Sequence, residues 1–414
     1  MEQFVQSFEQ VTTAIGLFLY LTYPILLPLL LLYGFWQLWV TYVRSKFIED
    51  TKEQVLEIKV PREVKRTPLA MELVLNALYQ TGGESTWYDR YVLGKVRSWF
   101  SLEIVSIGGN VRFFIWTPAK WKNLIESQLY AEYPGIEVFE SPDYAKFVSF
   151  DESKMDYWGC EFVFSEPDYL PLKTYMDYGM DKQAGMKDED KVDPLLPTIE
   201  FMSTLSRKEQ FWIQIVIRAH KGRSKAGAGF LGILPGKEKW QDTGKKAIKE
   251  TTEAESSGAE GAPQFKGRLL NKSEEQYVEA INRNISKYGF DTGVRALYMG
   301  EKEAFQGANI PGFIGSFRQF GANNLNSLRP NNVTDFDYPW IKELRKKKLS
   351  EMKEKMLKAY KRRQFFHAPF IRKHQVLNAE QLATLYHFPS GIVETPALSR
   401  VQSRKAEPPT NLPT

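Results

Sequence analysis

The most chemically distinctive stretch of the sequence is a basic one near its C-terminal end. Eleven lysines and arginines but only three glutamates lie between Trp340 and Arg363, which gives a net charge of +8. A broken apolar stripe at helical spacing accompanies them and predicts a helix over this range. Such a helix can bind phosphate groups of a nucleic acid or of anionic lipid. The candidate contact residues are Arg345, Lys346, Lys347, Lys348, Lys361, Arg362 and Arg363. The alternative is a solvated helix that links two layers of the fold.

No motif for catalysis or metal binding is recognisable. The four histidines are too scattered for a metal site, and the sequence contains no His-Glu-x-x-His; they are His220, His367, His374 and His387. We expect His387 to be a structural residue at a helix end, and Cys160, the only cysteine, to be buried and inert. We therefore expect no enzyme activity and no cofactor or metal, with an enzyme of unrecognised site as the alternative.

Two Gly-Lys pairs were tested against the phosphate-binding loop, which has the pattern Gly-x-x-x-x-Gly-Lys-Ser/Thr. Gly236-Lys237 is followed by Glu238, and Gly244-Lys245 is followed by Lys246. Both pairs also lack the first glycine. The sequence therefore contains no such loop, and we expect no ATP hydrolysis.

The N-terminal part predicts a membrane span. No charged residue occurs between Val11 and Val43, and the apolar run exceeds the roughly 20 residues that a bilayer requires. Tyrosines and tryptophans lie near both ends, as in interfacial aromatic belts. We predict a short tail at 1–13 and a transmembrane helix at 14–43. A cleaved signal peptide and a buried core helix are the alternatives.

The flanks of the span predict its orientation. Acidic residues alone, Glu2 and Glu9, precede it, whereas seven lysines and arginines lie between Arg44 and Arg66. By the positive-inside rule the large C-terminal part faces the cytoplasm. The expected location is the cell membrane, with a single pass.

The remaining chain predicts an α+β fold. After a juxtamembrane segment at 44–67, the order of helices and strands indicates two ferredoxin-like units related by duplication, at 68–192 and 193–330. Strands are expected within 102–116, where Gly108-Gly109-Asn110 forms a hairpin turn, and within 211–218. A flexible insertion is expected at 221–266. A basic helical segment is expected at 331–376, and a short helix with a proline-rich tail at 377–414. Capping patterns predict that Ser273 caps a helix at 273–287 and that Asn378 caps the short helix.

Four stretches together resemble a known group of proteins. They lie at 99–116, 133–138, 378–389 and 405–413, and the last contains Pro-Pro-Thr-Asn-Leu-Pro. They resemble the membrane-anchored N-terminal region of type IV secretion and conjugation-like proteins of small-genome bacteria. In longer members of that group this proline-rich segment leads into a HerA/FtsK-like ATPase core that pumps DNA.

The resemblance implies a non-catalytic component of a DNA or protein translocation system. Because this sequence carries no ATPase core, it implies a separate P-loop ATPase as partner and assigns no catalytic residue. Nucleic acid and further copies of the chain are other expected partners. The alternative is a membrane-anchored scaffold that binds another protein and has no nucleic-acid role.

Overall fold

The computed structural model describes residues 2–61, 64, 66–182, 192–221, 240–252, 270–335 and 342–389. The helices in this part are α1 Glu2–Asp50, α2 Pro68–Ala77, α3 Trp87–Tyr91, α4 Lys122–Glu132, α5 Leu196–Ser203, α6 Trp240–Thr252, α7 Lys272–Ile285, α8 Asn309–Phe317, α9 Lys342–Lys361 and α10 Ala379–Leu385. The strands are β1 Glu53–Lys59, β2 Trp99–Ile107, β3 Asn110–Pro118, β4 Glu137–Ser141, β5 Met155–Phe164, β6 Glu209–Ala219, β7 Gly289–Glu301, β8 Leu328–Asn331 and β9 Gln375–Asn378. The proline-rich tail and most of the insertion at 221–266 lie outside the described residues.

The chain divides into two compact units, and the first combines residues 1–51 with 82–96. It contains α1, which includes Pro24 and Pro28 and extends beyond the predicted span to Asp50. Within the described residues, its part Thr22–Asp50 is the one helix long and apolar enough to cross a membrane, and only 6% of its most apolar window is buried. That exposure excludes the core-helix alternative, because a core helix would be mostly buried.

The second unit combines residues 52–81 with the chain from Arg97 onward, and it is built on one antiparallel sheet. The strand order is β4-β1-β3-β2-β6-β7-β5-β8, and β9 pairs with β7. The two predicted units share this sheet, because β2 pairs with β6 from Trp99↔Arg218 to Ile107↔Gln210. The predicted α+β class and the strands predicted within 102–116 and 211–218 are confirmed.

The two faces of the sheet differ in composition because side chains alternate along each strand. In β6, Phe211, Ile213, Ile215 and Ile217 belong to one apolar core that also includes residues of α2, α4, α5, α8 and α10. Trp212 and Gln214 point the opposite way and contact Tyr360 of α9. The helices thus form a thick layer on one face, and α9 covers the other.

Local signals were accurate at several element ends. The β2–β3 turn forms at Gly108 and Gly109, both of which have positive φ. The predicted cap of α10 is confirmed, since Asn378 Oδ1 accepts a hydrogen bond from Gln381 N at 2.8 Å. The cap predicted for α7 at Ser273 is wrong. Asn271 occupies that position in a reciprocal capping box with Glu274.

Candidate polyanion interface

Exposed basic side chains lie along α9 and directly after it. They are Lys346, Lys347, Lys348, Lys355, Lys358 and Arg362. Two exposed glutamates lie among them, and one of these, Glu354, pairs with Lys358 at 2.6 Å. Arg345 is half-buried, and its Nη2 lies 3.9 Å from Asp335 Oδ1. Four predicted contact residues, at 346–348 and 362, therefore lie on the exposed surface.

The inner face of α9 is packed on the sheet. Its buried residues are Met356, Leu357, Ala359 and Tyr360. The Tyr360 ring lies 5.2 Å from the Trp212 ring of β6. Gly159 of β5 permits the close approach, because a Cβ at that position would lie 2.7 Å from Met356 Sδ. The C-terminal part of α9 is consequently held on the sheet, whereas the run at 346–348 lies in its N-terminal half, where none of the residues 345–355 is buried.

The prediction that Arg363 contacts a polyanion is wrong, because this side chain is fully buried. Its Nε and Nη2 donate to the Glu103 carboxylate at 3.0 and 3.2 Å. Its Nη1 and Nη2 donate to Asp143 at 2.5 and 2.8 Å. Burial alone would lower the pKa of Arg363, but the two carboxylates outweigh it and raise the pKa. Arg363 is therefore an anchor in the core.

The neighbours of Arg363 show how the end of α9 is fixed. Arg363 has φ +49, in the left-handed region that side chains rarely adopt, and its N–H donates to Tyr360 O at 2.9 Å. The half-buried Lys361 donates from Nζ to Val148 O. Burial lowers the pKa of Lys361, and Asp143 opposes this shift. Only Arg362 of these three cations faces solvent.

A row of four polar side chains crosses the sheet beneath α9. Glu103, Gln214, Arg295 and Glu161 occupy directly paired positions on β2, β6, β7 and β5. Gln214 Nε2 donates to Glu103 at 3.0 Å, and Arg295 Nη1 donates to Gln214 Oε1 at 3.0 Å. Arg295 Nη2 lies 3.3 Å from Glu161 Oε1. We call these four residues the polar row; each is at most 2% exposed.

Residues outside these four strands complete the hydrogen bonds and ion pairs of the polar row. Gln214 Nε2 also donates to Tyr360 O at 3.1 Å, and Tyr144 OH donates to Glu103 Oε2 at 2.8 Å. Burial, with Glu103 nearby, raises the pKa of Tyr360 and of Tyr144 well above the ordinary value. Arg372 lies 3.4 Å from Glu161. The buried carboxylates are thus matched by guanidinium groups, as buried charges require.

Sequence reasoning missed the polar row, although a signal existed. Each of its members stands alone among apolar residues near the middle of a strand, as Glu103 does between Leu102 and Ile104 and Gln214 between Ile213 and Ile215. A charged residue is rarely buried unless it is paired. Recurrence of that pattern in several strands could have indicated that these side chains bond to one another. The sequence does not show which cation neutralises the buried carboxylates.

A second charged cluster lies where β6 ends and where β2 and β7 begin. Asp291 accepts from Arg218 Nε at 2.8 Å and from the His220 ring at 2.6 Å, and Arg97 Nη2 lies 3.6 Å away. Burial would raise the pKa of Asp291, but the bond from His220 and the charge of Arg218 lower it strongly. This arrangement stabilises an ionised carboxylate.

The remaining residues with potential chemistry are built into the core. His387 is buried at the end of α10, where Nε2 lies 3.1 Å from Asp193 Oδ1 and Nδ1 lies 2.9 Å from Ala383 O. Cys160 is buried, and burial raises the pKa of its thiol well above the ordinary value. No group of three or more His, Cys, Asp or Glu residues in the described ranges could hold a metal ion.

Comparison with known proteins gives no family assignment. The sequence matches no model of a protein family and no curated protein.

Proposed function

We propose that the protein is a non-catalytic, membrane-anchored component of a type IV secretion or conjugation-like translocation system, which binds a polyanion through α9 and works beside a separate ATPase. The resemblance described from the sequence suggests the system. The single observation that carries the binding role is the asymmetry of α9. Its C-terminal part is packed on the sheet at 356–360, while six exposed cations and two exposed glutamates lie along the helix and directly after it.

The physical basis of the binding role is counterion release. Lysines spread along a fixed helix can neutralise several phosphates at once, and the displaced counterions make the affinity fall steeply with salt. Because the side chains contact no base edges in this role, sequence preference should be low. The polar row supports the proposal, since Gln214 donates to Tyr360 O and so helps to hold the end of the helix on the sheet before binding.

The test uses the intact protein in detergent micelles and a fluorescent DNA duplex. The variant Lys346→Gln/Lys347→Gln/Lys348→Gln should weaken binding and lower the slope of log affinity against log salt by about 3. The matched control is Lys245→Gln/Lys246→Gln/Lys249→Gln, which removes the same charge from exposed positions of α6 and should leave binding unchanged. Equal losses in both triple variants would contradict the proposal, because they would indicate a response to net charge alone.

The second candidate is a protein-binding scaffold with no nucleic-acid role. Two leucines favour it: Leu69 and Leu73 lie one turn apart on α2 and are 47% and 45% exposed. If the α9 triple variant keeps polyanion binding but no longer associates with the neighbouring ATPase, α9 is a docking surface for protein. If it changes neither property, the scaffold gains support and the basic run is a solvated face.

We infer for the architecture that the sheet consists of two ferredoxin-like units related by duplication. Their bounds differ from the predicted 68–192 and 193–330, because β1 lies before the first range and β5 belongs with the strands of the second half. The order β4-β1-β3-β2 in one half corresponds to β8-β5-β7-β6 in the other, with a helix after the first and third strand of each. In the second half, α6 and α7 replace the hairpin between β6 and β7. Superposition of the two halves tests this inference. If corresponding strands superpose only with their polar residues out of register, the result would weigh against duplication.

For location we propose a single pass through the cell membrane with the sheet unit in the cytoplasm. The charge difference across α1 supports this orientation. Protease treatment of inverted and right-side-out vesicles tests this orientation. The sheet unit should be cleaved in inverted vesicles, whose cytoplasmic side faces the added protease, and protected in right-side-out vesicles.

A further inference from the structure

The loop at 82–96, which we call the collar loop, packs on the later part of α1. The Trp36 ring lies 6.4 Å from the Trp87 ring in a stacked arrangement and 5.3 Å from the Tyr91 ring. Trp39 Nε1 donates a hydrogen bond to Tyr91 O at 2.8 Å. Trp36 and Trp39 of α1 are therefore packed against the collar loop.

A glycine fixes the other end of the collar loop. Gly94 has φ +62 and approaches α1 so closely that a Cβ would lie 2.2 Å from Val43 O. Val40 and Val43 are buried, whereas Ile25 and Leu30 are 67% exposed. The side chains of α1 are thus open to their surroundings in the middle of the apolar stretch, and at its end Val40 and Val43 are covered while Leu38 and Tyr42 stay exposed.

Apolar side chains of the collar loop remain uncovered. Trp87 is 62% exposed, Tyr88 55%, Leu93 40% and Val92 36%. They lie within a span of seven residues, and Trp87 stacks on Trp36 of α1. A contiguous apolar surface of this kind marks a contact with a partner or a membrane.

The backbone of the collar loop is bonded internally. Thr86 and Asp89 form a capping box at the start of α3, and Val92 N and Leu93 N both donate to Tyr88 O. Lys95 N donates to Asp89 O at 2.8 Å. Internal bonding of this kind is what a segment needs if it is to leave bulk water for the edge of a bilayer.

We propose that the collar loop is a membrane-surface element, with Trp87, Tyr88 and Leu93 inserted at the boundary between lipid headgroups and acyl chains. The inference rests on the proposed membrane anchor. The residues from Trp36 to Val43 rise about 10 Å along the helix, a distance comparable to an interfacial layer. Tryptophan and tyrosine concentrate in that layer because their rings are apolar and their tips are polar.

The test measures label depth in vesicles of phosphatidylcholine. Cys160 is fully buried, so a cysteine introduced on the surface can be labelled selectively with a nitroxide, and the wild-type protein serves as the labelling blank. The variants are Tyr88→Cys and Leu93→Cys in the collar loop and Leu29→Cys in the middle of α1. Tyr288→Cys is the matched control, because Tyr288 is 56% exposed.

The measured quantity is collision of the nitroxide with oxygen, which enters lipid, relative to collision with a water-soluble nickel chelate. For Tyr88→Cys and Leu93→Cys the ratio should be severalfold above that of free label in buffer and below that of Leu29→Cys. A ratio equal to that of free label at both collar positions, with a high ratio at Leu29, would overturn the proposal and leave the anchor intact. An aqueous ratio at Leu29 as well would refute the anchor itself.

Discussion

Two basic clusters, one within α9 and one at its C-terminal end, look alike in sequence and have opposite environments. Residues 345–348 and 361–363 are each an uninterrupted run of lysine and arginine. The first run is exposed at three of its four positions. The second run has one exposed member, Arg362, followed by a fully buried one, Arg363. Charge density alone therefore does not distinguish a binding surface from a core anchor.

What distinguishes the two clusters is the surface beneath them. The second run ends above the polar row, where Glu103 and Asp143 can surround one guanidinium group. A planar, always charged group suits such a bidentate site better than lysine. In the first run, Arg345 lies 3.9 Å from the exposed carboxylate of Asp335. Partners supplied by distant strands decide the role of each cation.

The largest expected effect in this comparison comes from removing the anchor. Arg363→Met should lower the free energy of unfolding by about 3–5 kcal/mol, because it leaves the Glu103 and Asp143 carboxylates buried without their cation. Urea denaturation of the intact protein in detergent measures this. The double variant with Glu103→Gln should lose less than the sum of the two single variants, and strict additivity would show that the ion pair is not coupled.

Replacing Asp291 tests whether the loss of one partner from a buried ion pair elsewhere in the sheet also destabilises the protein. Its folded pKa is depressed, so its contribution is present above the unfolded value near pH 4 and is lost as the pH falls towards the folded value. Asp291→Asn should cost about 2 kcal/mol at pH 7. The difference from wild type should shrink between pH 4 and pH 2 in urea titrations, and a constant difference would exclude a role for the carboxylate charge.

Local sequence signals predicted what depends on neighbours along the chain. The hairpin at Gly108 and Gly109 and the Asn378 cap each involve residues within a few positions, and both were correct. The pairing of β2 with β6 was not predicted, because alternation shows that a strand has a buried face and does not show which strand lies beside it. The Glu103–Arg363 pair spans 260 positions and could not be deduced for the same reason.

The strand β5 shows how a correct observation can be left incomplete. Cys160 was predicted to be buried because of its aromatic neighbours, and it is. The same alternation of Trp158, Cys160 and Phe162 marks a strand, yet no strand was predicted at Met155–Phe164. Gly159 points to the opposite face, and a glycine within a strand pattern weakens the prediction of a strand. The structure explains this glycine, because Met356 packs directly against it.

A smaller effect on stability is expected from a change at Gly159, where α9 packs on β5. Gly159→Ala should destabilise the protein by about 1 kcal/mol, because the new Cβ would meet Met356 Sδ at 2.7 Å and Leu297 Cδ2 at 2.8 Å. The flexible methionine limits the cost. Gly315→Ala in α8 is the control, since its Cβ would meet nothing within 4 Å, and it should be neutral or stabilising. Equal thermal shifts in the two variants would contradict this account of α9 packing.

The smallest expected effect on stability comes from Arg362, the neighbour of the anchor. Arg362→Gln should change the free energy of unfolding by less than about 0.5 kcal/mol, because the side chain is exposed. If α9 binds polyanions through its outer face, the same variant should weaken DNA binding and lower the salt slope by about 1. Arg363→Met should do the reverse at temperatures where it remains folded, with reduced stability and an unchanged slope. A salt slope that responds to Arg363 and not to Arg362 would mean that the outer face of α9 is not the binding surface.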